Sequence, residues 1–411
     1  MNANLPAPPN VGAHWSFIIF ACTLVAFVAE SQLTQYLQSN LGYRQPFFIF
    51  YLVHSSFSVI FPAHLFYLTA TNKNYSVSSL CNGLTLALAK QLAPDRTSCA
   101  ATPALPRFRF LRLVLALTVG ITYPSLLWFS AISLASVSDV TGVLCTILHS
   151  IWNTNAFFAY LMTFKFKWEP RKFYAVSLAT VGVMVVIYGG SSSTNIDGSI
   201  EKRVYTKPSA PLVGDLLTLV ASIGYALYQV LYKAYAALPS DPELRAESTY
   251  EPLAADDDST DISDAQSITA NTEDAVYPPP FGLHPNLLTS AIGLCTLGVL
   301  WIFIPVLHYF EVEPFLLPGN LAIVSTIVGI SLTGVIFNAG FMVLLGVWGP
   351  LVTSVANLLT IVLVFVSDIF FGAGVQAVTL GGVVGCTIII LAFALLIYDM
   401  MDKRRRINAR N

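Results

Sequence analysis

The chain has 411 residues, 55% of them hydrophobic and only 11% charged, with a formal net charge of -2. A soluble domain carries about 25% charged residues, so the composition excludes an ordinary soluble protein and describes a polytopic membrane protein. With no basic stripe interleaved with aromatics, it also excludes nucleic-acid binding.

Ten apolar runs are long enough to span a bilayer, near 15–37, 46–68, 110–131, 138–163, 172–190, 211–233, 286–309, 321–345, 350–371 and 377–398. The fold class expected is all-α, with ten transmembrane helices. Residues 1–14 lack a basic n-region and lead into a full span, so no cleavable signal peptide is expected.

The first span holds the chemical anomaly. Ser16 to Ala29 is free of charge, and Glu30 then arrives before the helix has crossed, followed by Ser31, Gln32, Thr34 and Gln35. A carboxylate at that depth costs several kcal/mol unless it faces water or a partner, so it reads as part of a solute path. The alternative is a residue near the helix end that reaches the headgroups. The second span carries His54 beside Ser55, Ser56 and Ser58, and Pro62, like Pro124 in the third span and Pro305 in the seventh, is expected to kink its helix. Between the second and third spans, Leu80–Leu92 is weakly amphipathic and expected on the membrane surface.

The fourth span shows a polar stripe of Asp139, Thr146, His149 and Asn153. Asp139 suits a helix cap. His149 suits either a proton shuttle or a hydrogen-bonded packing role. The sixth span places Thr218, Ser222, Tyr225, Gln229 and Tyr232 on one continuous face, with Tyr228 beside them. Asp215, at its start, suits an N-terminal cap. Asn338 in the eighth span and Asn357 in the ninth either join helices or contact solute. Thr353, Thr360, Ser367 and Asp368 continue the ninth-span stripe, with Asp368 near its outer end. Gly329, Gly334, Gly340 and Gly346 allow close helix approach.

Residues 238–285 interrupt the runs with eleven acids, Asp256-Asp257-Asp258 among them, one arginine, Arg245, and a closing Pro278-Pro279-Pro280. This is a linker by composition, open to a protein partner or simply solvated. The positive-inside rule orients the chain. With both termini cytoplasmic, the outer side receives only Arg44, Lys202, Arg203 and Lys207 of the 21 basic residues. The vacuole, the Golgi and the plasma membrane all remain open.

Thr23-Leu24-Val25-Ala26 recurs as Thr218-Leu219-Val220-Ala221, and Ala175-Val176-Ser177-Leu178 as Ala377-Val378-Thr379-Leu380. The matches keep order and lay the first five spans on the last five. An odd-numbered unit enters the membrane from the opposite side in its second copy, so the repeat is inverted. The organisation is then a tail 1–14, a repeat 15–190, an outer loop 191–210, a repeat 211–398 holding the linker, and a basic tail 399–411. The alignment sets Glu30 against Tyr225 and Thr34 against Gln229.

Cys22, Cys145, Cys295 and Cys386 lie in apolar runs, while Cys81 and Cys99 share a loop. No CxxC and no metal-ligand spacing occurs, so neither a disulfide framework nor a metal centre is expected, and no cofactor. No Ser-His-Asp, HExxH or Walker pattern occurs, so neither an enzyme nor an ATP-driven pump is expected.

The short motifs Ala131-Ile132-Ser133, Ala135-Ser136-Val137-Ser138-Asp139, Lys167-Trp168-Glu169-Pro170, Gly214-Asp215-Leu216-Leu217 and Gly346-Val347-Trp348-Gly349-Pro350 resemble the drug/metabolite transporter superfamily, with two EamA-like halves. Tyr225-Ala226-Leu227-Tyr228 and Leu351-Val352-Thr353-Ser354 are most similar to the F branch of solute carrier family 35. The resemblance implies a metabolite transporter, and some members of that branch are associated with thiamine. The family's acid before the last helix of each half matches Glu169, whereas Gly372-Ala373-Gly374 replaces it in the second half.

The expectation is a secondary transporter for a small polar or cationic solute. Glu30, Thr34, His54, Tyr225, Tyr228, Gln229, Asn338 and Asn357 would line the path, and Glu30, His149 and Asp368 are the proton-coupling candidates. A nucleotide-sugar antiporter and a non-transporting scaffold or trafficking factor are the competing readings. The partners expected are a small-molecule substrate and the lipid bilayer. A homodimer is left open.

Overall fold

The computed structural model describes residues 13–73, 75–92, 105–135, 152, 154–163, 170–190, 211–238, 275–371 and 378–408. Among them there are helices and no strands. In chain order they are α1 (Ala13–Ser39), α2 (Pro46–Ser56), α3 (Ile60–Thr71), α4 (Val77–Leu92), α5 (Arg107–Ala135), α6 (Asn155–Thr163) and α7 (Pro170–Gly190). There follow α8 (Pro211–Leu231), α9 (Leu283–Val299), α10 (Phe303–Tyr309), α11 (Leu321–Asn357), α12 (Leu359–Phe371) and α13 (Leu380–Asn408). Seven helical stretches among the described residues are long and apolar enough to cross a membrane.

Their surface fits lipid. On α5, Phe108, Leu111, Leu115, Val119 and Tyr123 are exposed along one face, while Val114, Leu117, Ile121 and Trp128 are buried on the other. A helix in water would not show so continuous an apolar face to solvent. The chain is an all-α, multi-pass membrane protein.

Two spans are broken alike. A 3-10 turn at Phe57–Val59 separates α2 from α3 ahead of Pro62, and another at Leu300–Ile302 separates α9 from α10 ahead of Pro305. Proline lacks the N–H that would bond the carbonyl four residues earlier. For Pro62 that carbonyl is Ser58 O, and the Ser290 hydroxyl of α9 donates to it at 2.6 Å. Gly293, one turn further along α9, lets that helix lie directly against the backbone of Phe57 and Ser58.

The expected eighth and ninth spans meet at a kink within α11, where Gly349 (φ 77°, ψ 169°) breaks the helix just before Pro350, and the ninth continues into α12. Positive φ suits glycine, and proline starts the next helical stretch without needing its missing N–H. The sixth span ends in a π turn, Tyr232–Ala236, whose Lys233 Nζ donates to Gly346 O at 3.0 Å, near the end of the helical stretch before that break.

Helix α1 runs antiparallel to α11 along a row of glycines. Leu33 faces Gly329, Glu30 faces Gly334 and Thr23 faces Gly340. Phe17 and Phe20 close the row on Trp348, with ring centroids 5.8 and 5.3 Å apart. Helices α7 and α13 cross just as closely, where a Cβ on Gly182 would stand 3.0 Å from Gly385 O. Small residues let backbones approach where lipid offers no hydrophobic drive.

Contacts sort the helix ends onto two faces. The start of α1, Trp348, Phe393 and the Arg171–Asp399 ion pair (3.3 Å) mark the face of the terminal helices. The α1–α2 loop and residues 311–316 meet on the opposite face. Helix α4 binds both ends of the acidic linker. Gln91 Nε2 donates to Tyr235 O at 3.1 Å and Ala237 O at 3.0 Å, and Val276 N donates to Ser79 O at 3.0 Å. Its apolar face, expected to rest on the membrane, is taken up by Leu283.

Candidate functional site

Glu30 is 5% exposed, at the middle of the α1–α11 contact. It fits because Gly334 has no side chain: a Cβ there would lie 3.2 Å from Glu30 Oε1 and 2.8 Å from Val53 Cγ1. The other oxygen, Oε2, has no hydrogen-bond partner among the described residues. Burying a polar group without a partner is costly, and a charged one far more so. That cost calls for a compensating partner, a proton or a cation.

One turn below Glu30, aromatic rings close a circuit. Phe27 meets Trp128 (6.2 Å between centroids), Trp128 meets Trp152 (6.2 Å), and Trp152 meets Tyr225 (4.9 Å). Tyr225 meets Phe341 (5.6 Å), Phe341 meets Phe337 (5.5 Å), and Phe337 returns to Phe27 (4.7 Å). The rings come from α1, α5, the residue Trp152 ahead of α6, α8 and α11. Tyr228 stacks beside Tyr225 at 6.2 Å, and its hydroxyl reaches Met342 Sδ at 3.7 Å. Ring faces of this kind attract cations, and an ionised carboxylate above them would add full charge.

The remaining predicted residues divide. The Thr34 hydroxyl donates to Glu30 O at 2.7 Å, which ties it to its own helix. His54 is boxed by Phe50 (4.2 Å), Phe57 (4.7 Å) and Phe129 (6.4 Å), with Nδ1 3.2 Å from Phe50 O. The ring is thus packed among aromatics, next in sequence to the Val53 that flanks Gly334. Asn338 Nδ2 donates to Gly334 O at 2.9 Å, again within its own helix. Asn357 is buried after the break in α11, with its main-chain oxygen bonded to the Thr360 hydroxyl at 2.6 Å.

Gln229 does join helices: the Ser354 hydroxyl donates to its Oε1 at 2.6 Å, and its Nε2 has no partner among the described residues. Thr154 and Ser222 bond at 3.0 Å, which fixes the segment ahead of α6 on α8. His149, with Asp139, Thr146, Asn153 and Glu169, lies outside the described residues, as does the Asp368 side chain.

Sequence reasoning missed Trp128, Trp152, Phe337 and Phe341. Gly334, Phe337 and Phe341 stand at i, i+3 and i+7, one helical face. That spacing was the available signal, but in an apolar span it does not differ from ordinary packing.

No family model matches the chain, and no curated protein matches it. Among solved structures, one chain described only as "Crystal structure of protein" is similar at 14% identity, over 91% of this chain and 95% of that one, with a TM-score of 0.47. A likeness of that size carries no argument about fold or function.

Proposed function

We propose that the protein is a secondary transporter of a small organic cation, working by alternating access. The observation that carries this reading is the pairing of a buried carboxyl, with no partner on Oε2 among the described residues, with a closed circuit of aromatic rings. Within a membrane such an acid marks a solute or proton path. The rings provide cation–π faces, worth about 2 kcal/mol or more each when desolvated. Glu30 would hold the cation directly, or exchange it for a proton. Tyr225 and Tyr228 would line the opposite wall, with Gln229 beyond them.

The architecture proposed is ten spans in two inverted five-span repeats, with both termini cytoplasmic. The tetrad matches support it, and so does the shared break of the second and seventh spans, where each 3-10 turn begins five residues before a proline. Resemblance to the F branch of solute carrier family 35 makes a thiamine-like metabolite the first solute to test. Phosphorylated substrates fit less well. Among the described residues, no lysine or arginine is buried that could meet phosphate.

The test is uptake into vesicles reconstituted with purified protein, first with thiamine, then with other organic cations, nucleotide sugars and amino acids. Glu30→Gln should abolish uptake, or its pH dependence, while the protein stays folded. Unaltered uptake across pH in that variant would sink the proposal. Deleting residues 241–274, which leaves the Val276 bond to α4 in place, separates the scaffold reading, because a transporter keeps its flux without that stretch.

A further inference from the structure

On the face opposite the termini, two segments more than 260 residues apart are fastened together. The Glu313 carboxylate accepts the main-chain N–H of Phe47 at 2.9 Å through Oε2 and of Phe48 at 3.0 Å through Oε1. These are first-turn donors of α2, which a helix ordinarily satisfies with its own N-cap side chain. Here Gln45 holds the cap position and makes no capping bond. Its Nε2 instead crosses to Pro314 O at 3.0 Å, and the Tyr43 hydroxyl donates to Leu316 O at 2.8 Å. Phe48 packs edge-on against Phe315, with centroids 5.0 Å apart.

A local cap would stabilise α2 equally well, so the helix start gains nothing by borrowing a carboxylate from the far half of the chain. What the borrowing adds is a tie across the molecule. Four polar bonds and one aromatic contact join the α1–α2 loop and the start of α2 to the segment between α10 and α11. Beneath this tie, Gln38 at the end of α1 is fully buried, and its Nε2 reaches Phe129 O at 3.5 Å. The aromatic circuit lies deeper along the same helices.

We infer that Glu313, with Gln45 and Tyr43, forms a latch that holds this face of the molecule closed, and that releasing it opens a path from this side toward the Glu30 site. The inference rests on the transport reading, and its test does not require a known solute. The latch is made of few, individually modest bonds, as a reversible closure needs. Charge-assisted bonds to two adjacent amides make Glu313 its strongest member.

The reporter is a Gln38→Cys variant, labelled with a membrane-impermeant maleimide in vesicles and read peptide by peptide by mass spectrometry. Adding Glu313→Ala should raise the labelling rate at position 38 by about tenfold, the effect of losing roughly one net charged hydrogen bond. Tyr43→Phe, a milder change that keeps the protein folded, should raise it in the same direction. Glu313→Gln keeps a carbonyl acceptor and should fall between the unmodified latch and Glu313→Ala. If both Glu313→Ala and Tyr43→Phe leave the labelling rate of the reporter unchanged, the latch is overturned. Faster amide exchange confined to Phe47 and Phe48 would likewise mark Glu313 as a helix cap only. Should wild-type protein move no solute while the labelling responds as expected, the transport reading fails and the latch stands.

Discussion

Single side chains here answer gaps that the backbone leaves. Pro62 deprives Ser58 O of its helical donor, and Ser290 from another helix fills the vacancy at 2.6 Å. In lipid no water can substitute, so removing that hydroxyl leaves a buried carbonyl unsatisfied. Ser290→Ala should therefore destabilise the protein by about 1–3 kcal/mol, read as a lower thermal midpoint in detergent. Glu30 stands in the opposite situation: its partner group is a glycine, and the space that Gly334 provides is what lets a carboxyl sit there at all. One of its oxygens is then left without a partner among the described residues.

Between elements, contact is decided by which glycines meet backbone and which meet nothing. A Cβ on Gly385 would come 2.5 Å from Val186 Cγ2 and 2.7 Å from Gly182 O, so α7 and α13 would have to move apart. Gly385→Ala should cost about 1–3 kcal/mol by overpacking. Gly298 in α9 has no atom within 4 Å of the same position. Gly298→Ala should be neutral or stabilise by up to about 1 kcal/mol, the helix propensity difference. Paired thermal melts of the two variants check this, and equal shifts would show that the α7–α13 crossing is not tight.

Across the whole molecule, the latch links the fold to pH. Burial raises the Glu313 carboxyl above its ordinary 4.5, and its two backbone bonds only partly offset this. Burial, with the nearby Glu313, pushes the Tyr43 phenol up to about 12, so it stays a donor throughout. A carboxyl whose folded pKa is raised binds its proton more tightly in the folded state. Its contribution to stability is full below the unfolded pKa and lost as pH rises through the folded one. Wild type should thus gain stability relative to Glu313→Gln on acidification toward 4.5. Thermal midpoints of both proteins across that range measure it, and a constant difference would contradict the burial of this group.

Much of this was legible in the chain itself. Low charge and long apolar runs dictate an all-α membrane protein, because lipid admits only helices and closed barrels, and uninterrupted apolar runs of about 20 residues suit the helix rather than the alternating barrel strand. Glu30 stands out in its run for the same reason, since charge in hydrocarbon is too costly to be incidental. Pro62 and Pro305 mark their breaks in advance, as local backbone chemistry does, whereas Pro124 sits inside the unbroken α5. The roles of Thr34, His54 and Asn338 were not legible. Each finds its bond within its own helix, and a polar residue at a given register can turn inward or back on its own turn with equal ease.

The aromatic circuit and the Glu313 latch were decided only by tertiary structure. A phenylalanine facing a partner ring and one facing lipid look identical in an apolar sequence, and a carboxylate capping a helix 266 residues away leaves no local pattern. Sequence determines what must be satisfied. Which distant group satisfies it is settled when the helices pack.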